Sequence, residues 1–193
     1  MSPLRKEWTM TGAARLLGQP QHRLIYLCEK GVVQPDLRRA DGRGSSRGFS
    51  RRNLLEFSVA LDLRRLQIPA QLIGALLGAL RELEAHLEAE FPSFSIPDSL
   101  RSSTAPDLRL VIGDGRLYFT LVTGEGEPRL FRGSTLSEIG ARPEARRQEL
   151  AGDVWSAEPI GPHEPSSHAG MGRSYTTLEV RITHLARDLP IGT

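Results

Sequence analysis

Apolar residues recur at helical spacing through the first half of the chain and alternate at strand spacing in the second. Thr9 to Gly18 predicts a short helix: the threonine can cap it, Ala13, Leu16 and Leu17 supply a stripe, and Gly18 can end it. Pro20 suits a first helical position, and a second helix is expected from there to about Lys30, closed by Gly31. Leu24, Leu27 and Cys28 fall on its inward face, leaving Gln21, His22, Arg23 and Tyr26 outside. Ser50 can cap a third helix bearing Leu54, Phe57 and Leu61, and Ile68-Pro69 ends it. A fourth is expected from Pro69 to about Phe91, where Pro92 stops it. Its Ile73, Leu76, Leu80, Leu83 and Leu87 are spaced three and four apart, the pattern of a coiled-coil seam, with Leu72 and Leu77 widening it.

The connections carry their own signals. Val32-Val33-Gln34-Pro35 reads as extended, and residues 36–49 are rich in glycine, serine and arginine, which predicts a long hairpin or loop. Two short helices joined by a glycine-containing turn and followed by such a loop make a winged helix-turn-helix. Beyond Pro92 a Ser/Pro-rich linker is expected up to Pro106. Leu108, Leu110 and Ile112 then alternate, Asp114-Gly115 signals a hairpin turn, and Leu117, Phe119 and Leu121 alternate on the return. Leu130-Phe131 starts a further strand, Ser134 to Leu150 reads as a helix broken at Pro143, and 156–172 reads as a loop. Leu178, Val180 and Ile182 form a last strand. The fold class expected is α+β. A DNA-binding head spans 1–68, an amphipathic helix 69–92 and a linker 93–107, and a small antiparallel α+β domain for an effector or partner fills 108–193.

Charge sharpens this division. Residues 1–52 hold eleven Lys/Arg against four acids, so of the chain's 25 basic and 23 acidic residues the rest keeps 14 and 19. A basic head on an acidic body suggests that one end meets a polyanion. A helix N-terminus offers free N–H groups to phosphate, and side chains of its first turns reach base edges in the major groove. Gln21, His22 and Arg23 stand there, arginine matching guanine and glutamine matching adenine, with Tyr26 placed for a phosphate and Thr11 on the preceding helix. Arg38, Arg39, Arg43 and Arg47 on the wing, and Arg51 and Arg52 at the next helix start, complete the candidate DNA contacts.

Catalysis finds little support. His163 and His168 stand in a Pro-rich loop without a fixed spacing to a carboxylate, and neither Gly113-Asp114-Gly115 nor Gly124-Glu125-Gly126 precedes a helix as a phosphate loop would. No metal or cofactor is expected. The lone Cys28 excludes an internal disulfide and fits a reducing cytoplasm, and Trp8 and Trp155 read as packing residues. No apolar run has the length of a membrane span.

Residues 8–80 together resemble the MerR family of bacterial transcriptional regulators. The likeness rests on Trp8-Thr9-Met10, Ala14-Arg15-Leu16-Leu17-Gly18, Leu24-Ile25-Tyr26-Leu27, Glu29-Lys30-Gly31-Val32-Val33-Gln34-Pro35, Arg47-Gly48-Phe49-Ser50 and Leu66-Gln67-Ile68-Pro69, in that order. The chain departs from the family at Ile25, where an arginine is usual, in a longer wing, and in having no cysteines near the fourth helix. The resemblance implies a homodimer on a pseudo-palindromic promoter site. That dimer would untwist an overlong spacer for RNA polymerase, with a small-molecule or protein effector at the C-terminal domain. The seam Ile73, Leu76, Leu80, Leu83 and Leu87 is the expected dimer contact. An alternative is an architectural recombination factor similar to phage excisionases, which share the head and bind adjacent sites cooperatively. A third is a protein-interaction adaptor that uses DNA only as an anchor.

Overall fold

Thr9 opens the first helix as its residue type suggests: its hydroxyl accepts the Gly12 N–H at 3.1 Å. The structure, a computed structural model, describes residues 7–37, 47–113, 116–122, 129–135, 157–159 and 177–191. Helix α1 (Met10–Leu16) ends at Gly18, whose φ of +61° a residue with a side chain adopts only at a cost. Helix α2 (Gln21–Glu29) ends likewise at Gly31, φ +69°. Ala13, Ala14, Leu24 and Leu27 are buried between and beneath these helices. An antiparallel bridge between Trp8 and Phe49, with both backbone bonds at 2.9 Å, brings the chain before α1 beside the chain before α3.

Helix α3 (Arg51–Arg65) begins in a capping box formed by Ser50 and Asn53. Its Leu54, Leu55, Phe57, Val59, Ala60 and Leu63 are all buried, too broad a face for one neighbour. It packs against α2, α4 (Ala70–Glu90), α5 (Ile96–Ser99) and a last helix α6 (Ile182–Asp188). Phe57 also meets Phe49 at 5.3 Å between ring centroids.

Among the described residues the second half forms a five-stranded antiparallel sheet in the order β4-β3-β2-β1-β5. Its strands are β1 (Asp107–Gly113), β2 (Arg116–Val122), β3 (Arg129–Thr135), β4 (Ala157–Pro159) and β5 (Thr177–Arg181). Leu110 stands opposite Phe119 on one side and Val180 on the other, and these three are buried with Leu108. The chain turns from β5 directly into α6, where Thr183 ties the two parts: its hydroxyl accepts the Leu108 N–H and donates to the Pro106 carbonyl, both at 2.8 Å. Mixed helix and antiparallel sheet agree with the α+β expectation.

Four expectations need correction. The seam residues Ile73, Leu76, Leu80, Leu83 and Leu87 are all buried within the single chain, none above 5% exposed. The three-four spacing marks one apolar face, and here that face is covered by the chain itself rather than by a second copy. Residues 93–107 are not a free linker: α5 lies within them, Ile96, Pro97 and Leu100 are buried, and the Ile96 N–H donates to Glu84 at 2.9 Å. One hydrophobic core runs through α1 to α6 and into the sheet, crossing the boundaries expected at 68, 92 and 107. Ser134 belongs to β3 rather than to a helix, and Ile182 starts α6 rather than ending a strand. The turn at Asp114-Gly115, the rest of the helix expected to Leu150, and Trp155, His163 and His168 lie outside the described residues.

Candidate nucleic-acid interface

Leu24 and Leu27 anchor α2, and the helical period then dictates what faces out. Gln21, His22, Arg23 and Tyr26 are exposed together on that outer face, as the sequence predicts. Thr11 on α1 joins them, its hydroxyl donating to Gln21 Oε1 at 3.2 Å. Arg23 donates to Gln19 Oε1, also at 3.2 Å, which steers its guanidinium along the helix start. No side chain caps α2 at Pro20 and no acid stands in its first turn, so the helix end keeps its partial positive charge.

The end of α3 supplies what sequence reasoning missed. Arg64 lies over the Tyr26 ring, 6.0 Å from its centroid, with the Lys30 ammonium at 5.8 Å. Arg64 is held by a 2.8 Å bond to the Ile68 carbonyl, and Arg65 by an ion pair with Asp62 at 3.0 Å. Between α2 and α3 opens a groove of about 470 Å³ lined by Gln19, His22, Arg23, Tyr26, Leu27, Leu61, Arg64 and Arg65. The only sequence signal was the Arg64-Arg65 pair itself; its place beside Tyr26 depends on how α3 crosses α2.

The remaining candidates separate. Arg47 is half-buried, and its positive charge near Cys28 favours the thiolate. Burial nevertheless dominates at that thiol and pushes its pKa up to about 11. Arg51 and Arg52 are ties of the fold rather than free cations. Arg51 pairs with Asp98 of α5 at 2.5 Å, and Arg52 with the buried Glu84 of α4 at 2.8 Å. Arg38, Arg39 and Arg43 lie outside the described residues.

Gln34 and Asp36 are tied to the start of α3. Ser50 donates to Asp36 through its N–H (3.2 Å) and its hydroxyl (2.5 Å). Asn53, 1% exposed, accepts the Asp36 N–H at 3.1 Å and donates to the Gln34 carbonyl at 2.9 Å. It also donates to Glu56, which takes Arg81 of α4 at 2.6 Å. Among the described residues no helix is long and apolar enough to cross a membrane. No protein-family model matches the chain, and neither does any curated protein.

Proposed function

We propose that this protein is a sequence-specific DNA-binding transcriptional regulator whose N-terminal part works as a winged helix-turn-helix. The observation that carries the reading is the groove face of α2 and α3. Gln21, His22, Arg23 and Tyr26 stand outward there beside Arg64 and Arg65, and no acid lines the groove. In this reading α2 enters the major groove, Arg23 and Gln21 read base edges, and Tyr26, Arg64 and Lys30 rest on phosphates. The bonds among Asp36, Ser50 and Asn53 tie the chain at 36 to the start of α3, and this reading assigns the arginines of the sequence between them, Arg38, Arg39 and Arg43, to flanking backbone. The MerR resemblance supports the same assignment and adds promoter remodelling for RNA polymerase as the mode of action.

A specific observation favours the second reading. The burial of Ile73, Leu76, Leu80, Leu83 and Leu87 in the chain's own core removes the contact on which a homodimer was expected. A monomer binding adjacent sites, as an excisionase-like architectural factor would, needs no such contact. Selection of bound duplexes from a random pool, followed by footprinting of the full chain, separates the two. One symmetric site is the regulator's result and an array of direct repeats the architectural one, whereas no enriched sequence in any pool would refute both. Arg23→Ala should cost about 1–3 kcal/mol at one base position and relax preference there.

A further inference from the structure

The groove between α2 and the end of α3 is more concave and more apolar than a seat for phosphates requires. A helix laid in a duplex presents a convex ridge, and backbone contacts ask only for cations at the rim. Here the cations surround a recess of about 470 Å³, within the size range of small-molecule sites, roughly 300–1,000 Å³. Its apolar lining comes from Leu61, Tyr26 and the almost fully buried Leu27. Its charged groups are Arg23, Arg64 and Arg65, with His22 beside them. Among the described residues each arginine bonds one group, Gln19, Ile68 and Asp62 respectively, and a guanidinium has five donors. Donors therefore remain on Arg23 and Arg64 to take a carboxylate in the two-pronged manner.

We propose that this groove binds a small organic anion with a flat apolar body, an aromatic carboxylate or a molecule of that kind, and that such a ligand and DNA exclude one another. The apolar body rests against Leu61 and Tyr26, and the anion meets Arg23 and Arg64. Because the same side chains would face the duplex, occupancy releases DNA directly, without a signal passing from the C-terminal sheet. The competition rests on the DNA-binding reading; the site itself does not.

Calorimetric titration of the full chain with three probes tests this: naphthalene-2-carboxylate, its neutral carboxamide, and acetate. The carboxylate should bind one per chain, at least about tenfold tighter than either of the others. Arg23→Ala and Arg64→Ala should each weaken it about tenfold while leaving the thermal midpoint in place, and added duplex should raise its apparent Kd. Arg64→Lys, which keeps the charge but not the fork, should recover part of the loss. Equal binding of the carboxamide would overturn the proposal by showing that the anion is not recognised. Equal binding of acetate would overturn it by showing that the apolar lining does nothing, and unchanged binding by the arginine variants would place the ligand elsewhere. A chain that binds duplex but no carboxylate overturns this inference and leaves the DNA-binding reading intact. Carboxylate binding at these arginines without any DNA binding keeps the site and overturns the competition.

Discussion

Arg52 donates to Glu84 at 2.8 Å, joining the start of α3 to the middle of α4, and Glu84 is buried while Arg52 stays part-exposed. The pair is therefore unequal. Removing Arg52 leaves a buried carboxylate that still accepts the Ile96 N–H, whereas removing the charge of Glu84 leaves a cation that water can reach. Arg52→Ala should destabilise by about 2–3 kcal/mol, and Glu84→Gln by about 1 kcal/mol or less, measured by chemical denaturation at neutral pH.

The pH dependence follows from the same site. Burial raises the pKa of Glu84 above its ordinary value despite Arg52. The folded state thus holds this proton more tightly than the unfolded one. Its stabilising effect is full below the ordinary carboxylate pKa and is lost as pH rises through the raised folded value. Glu84→Gln should therefore gain on the wild type as pH rises across that window, followed by thermal melts. A wild type that instead gains on the variant would mean that Arg52 outweighs burial.

Deleting the C-terminal helix should be felt in the head. Residues Ile182, Thr183, Ala186, Leu189 and Ile191 are buried in the core shared with α3, and Arg101 donates to the Ile191 carbonyl at 2.5 Å. A chain ending at residue 92 also loses α5 and exposes the α3 face that α5 and α6 cover. It should show no cooperative thermal transition under conditions where the intact chain melts cooperatively. A sharp melt of residues 1–92 would show that the head is independent after all.

The local signals were legible because each is a short-range cause. Thr9, Gly18, Gly31 and the Ser50 cap fix where helices start and stop, and the first three helices fall within a residue or two of their expected bounds. The outward face of α2 follows from Leu24 and Leu27 in the same way. What failed is long-range. A three-four apolar repeat in α4 states that one face must be covered and is silent on what covers it, so the same residues served equally well as a dimer seam or an internal core. Arg64 reaches Tyr26, and Arg51 and Arg52 reach Asp98 and Glu84, only through the crossing of helices. Asn53 had a local signature, the box with Ser50, yet its bond to Asp36 depends on that residue lying beside the start of α3.

That tie makes a prediction linking stability to binding. Asn53→Ala leaves the Asp36 N–H and the Gln34 carbonyl without their partner and Glu56 with one bond fewer. It should cost about 2–4 kcal/mol by denaturation. Under conditions where the variant is still folded it should bind DNA more weakly, because Gln34 and Asp36 are no longer tied to the start of α3. Unchanged stability would show that the network is dispensable.

Cys28 should be slow to react. Burial, acting against the neighbouring Arg47, places its pKa at about 11, and the thiolate is the reactive form. Alkylation by iodoacetamide at pH 8 should be much slower in the native protein than in denaturant. Arg47→Ala removes a group that favours the thiolate and should slow it further. Native labelling at the unfolded rate would show the thiol to be open.

If the α2–α3 face meets the phosphates of a duplex, its binding must respond to salt. The measurement is fluorescence anisotropy of a labelled duplex titrated with the full chain at several salt concentrations. Log K against log salt should fall with a slope near −0.9 for each phosphate neutralised, and Arg64→Ala should flatten that slope by about one unit. A chain that shows no affinity for any duplex at low salt, or an affinity that salt does not change, would contradict the account.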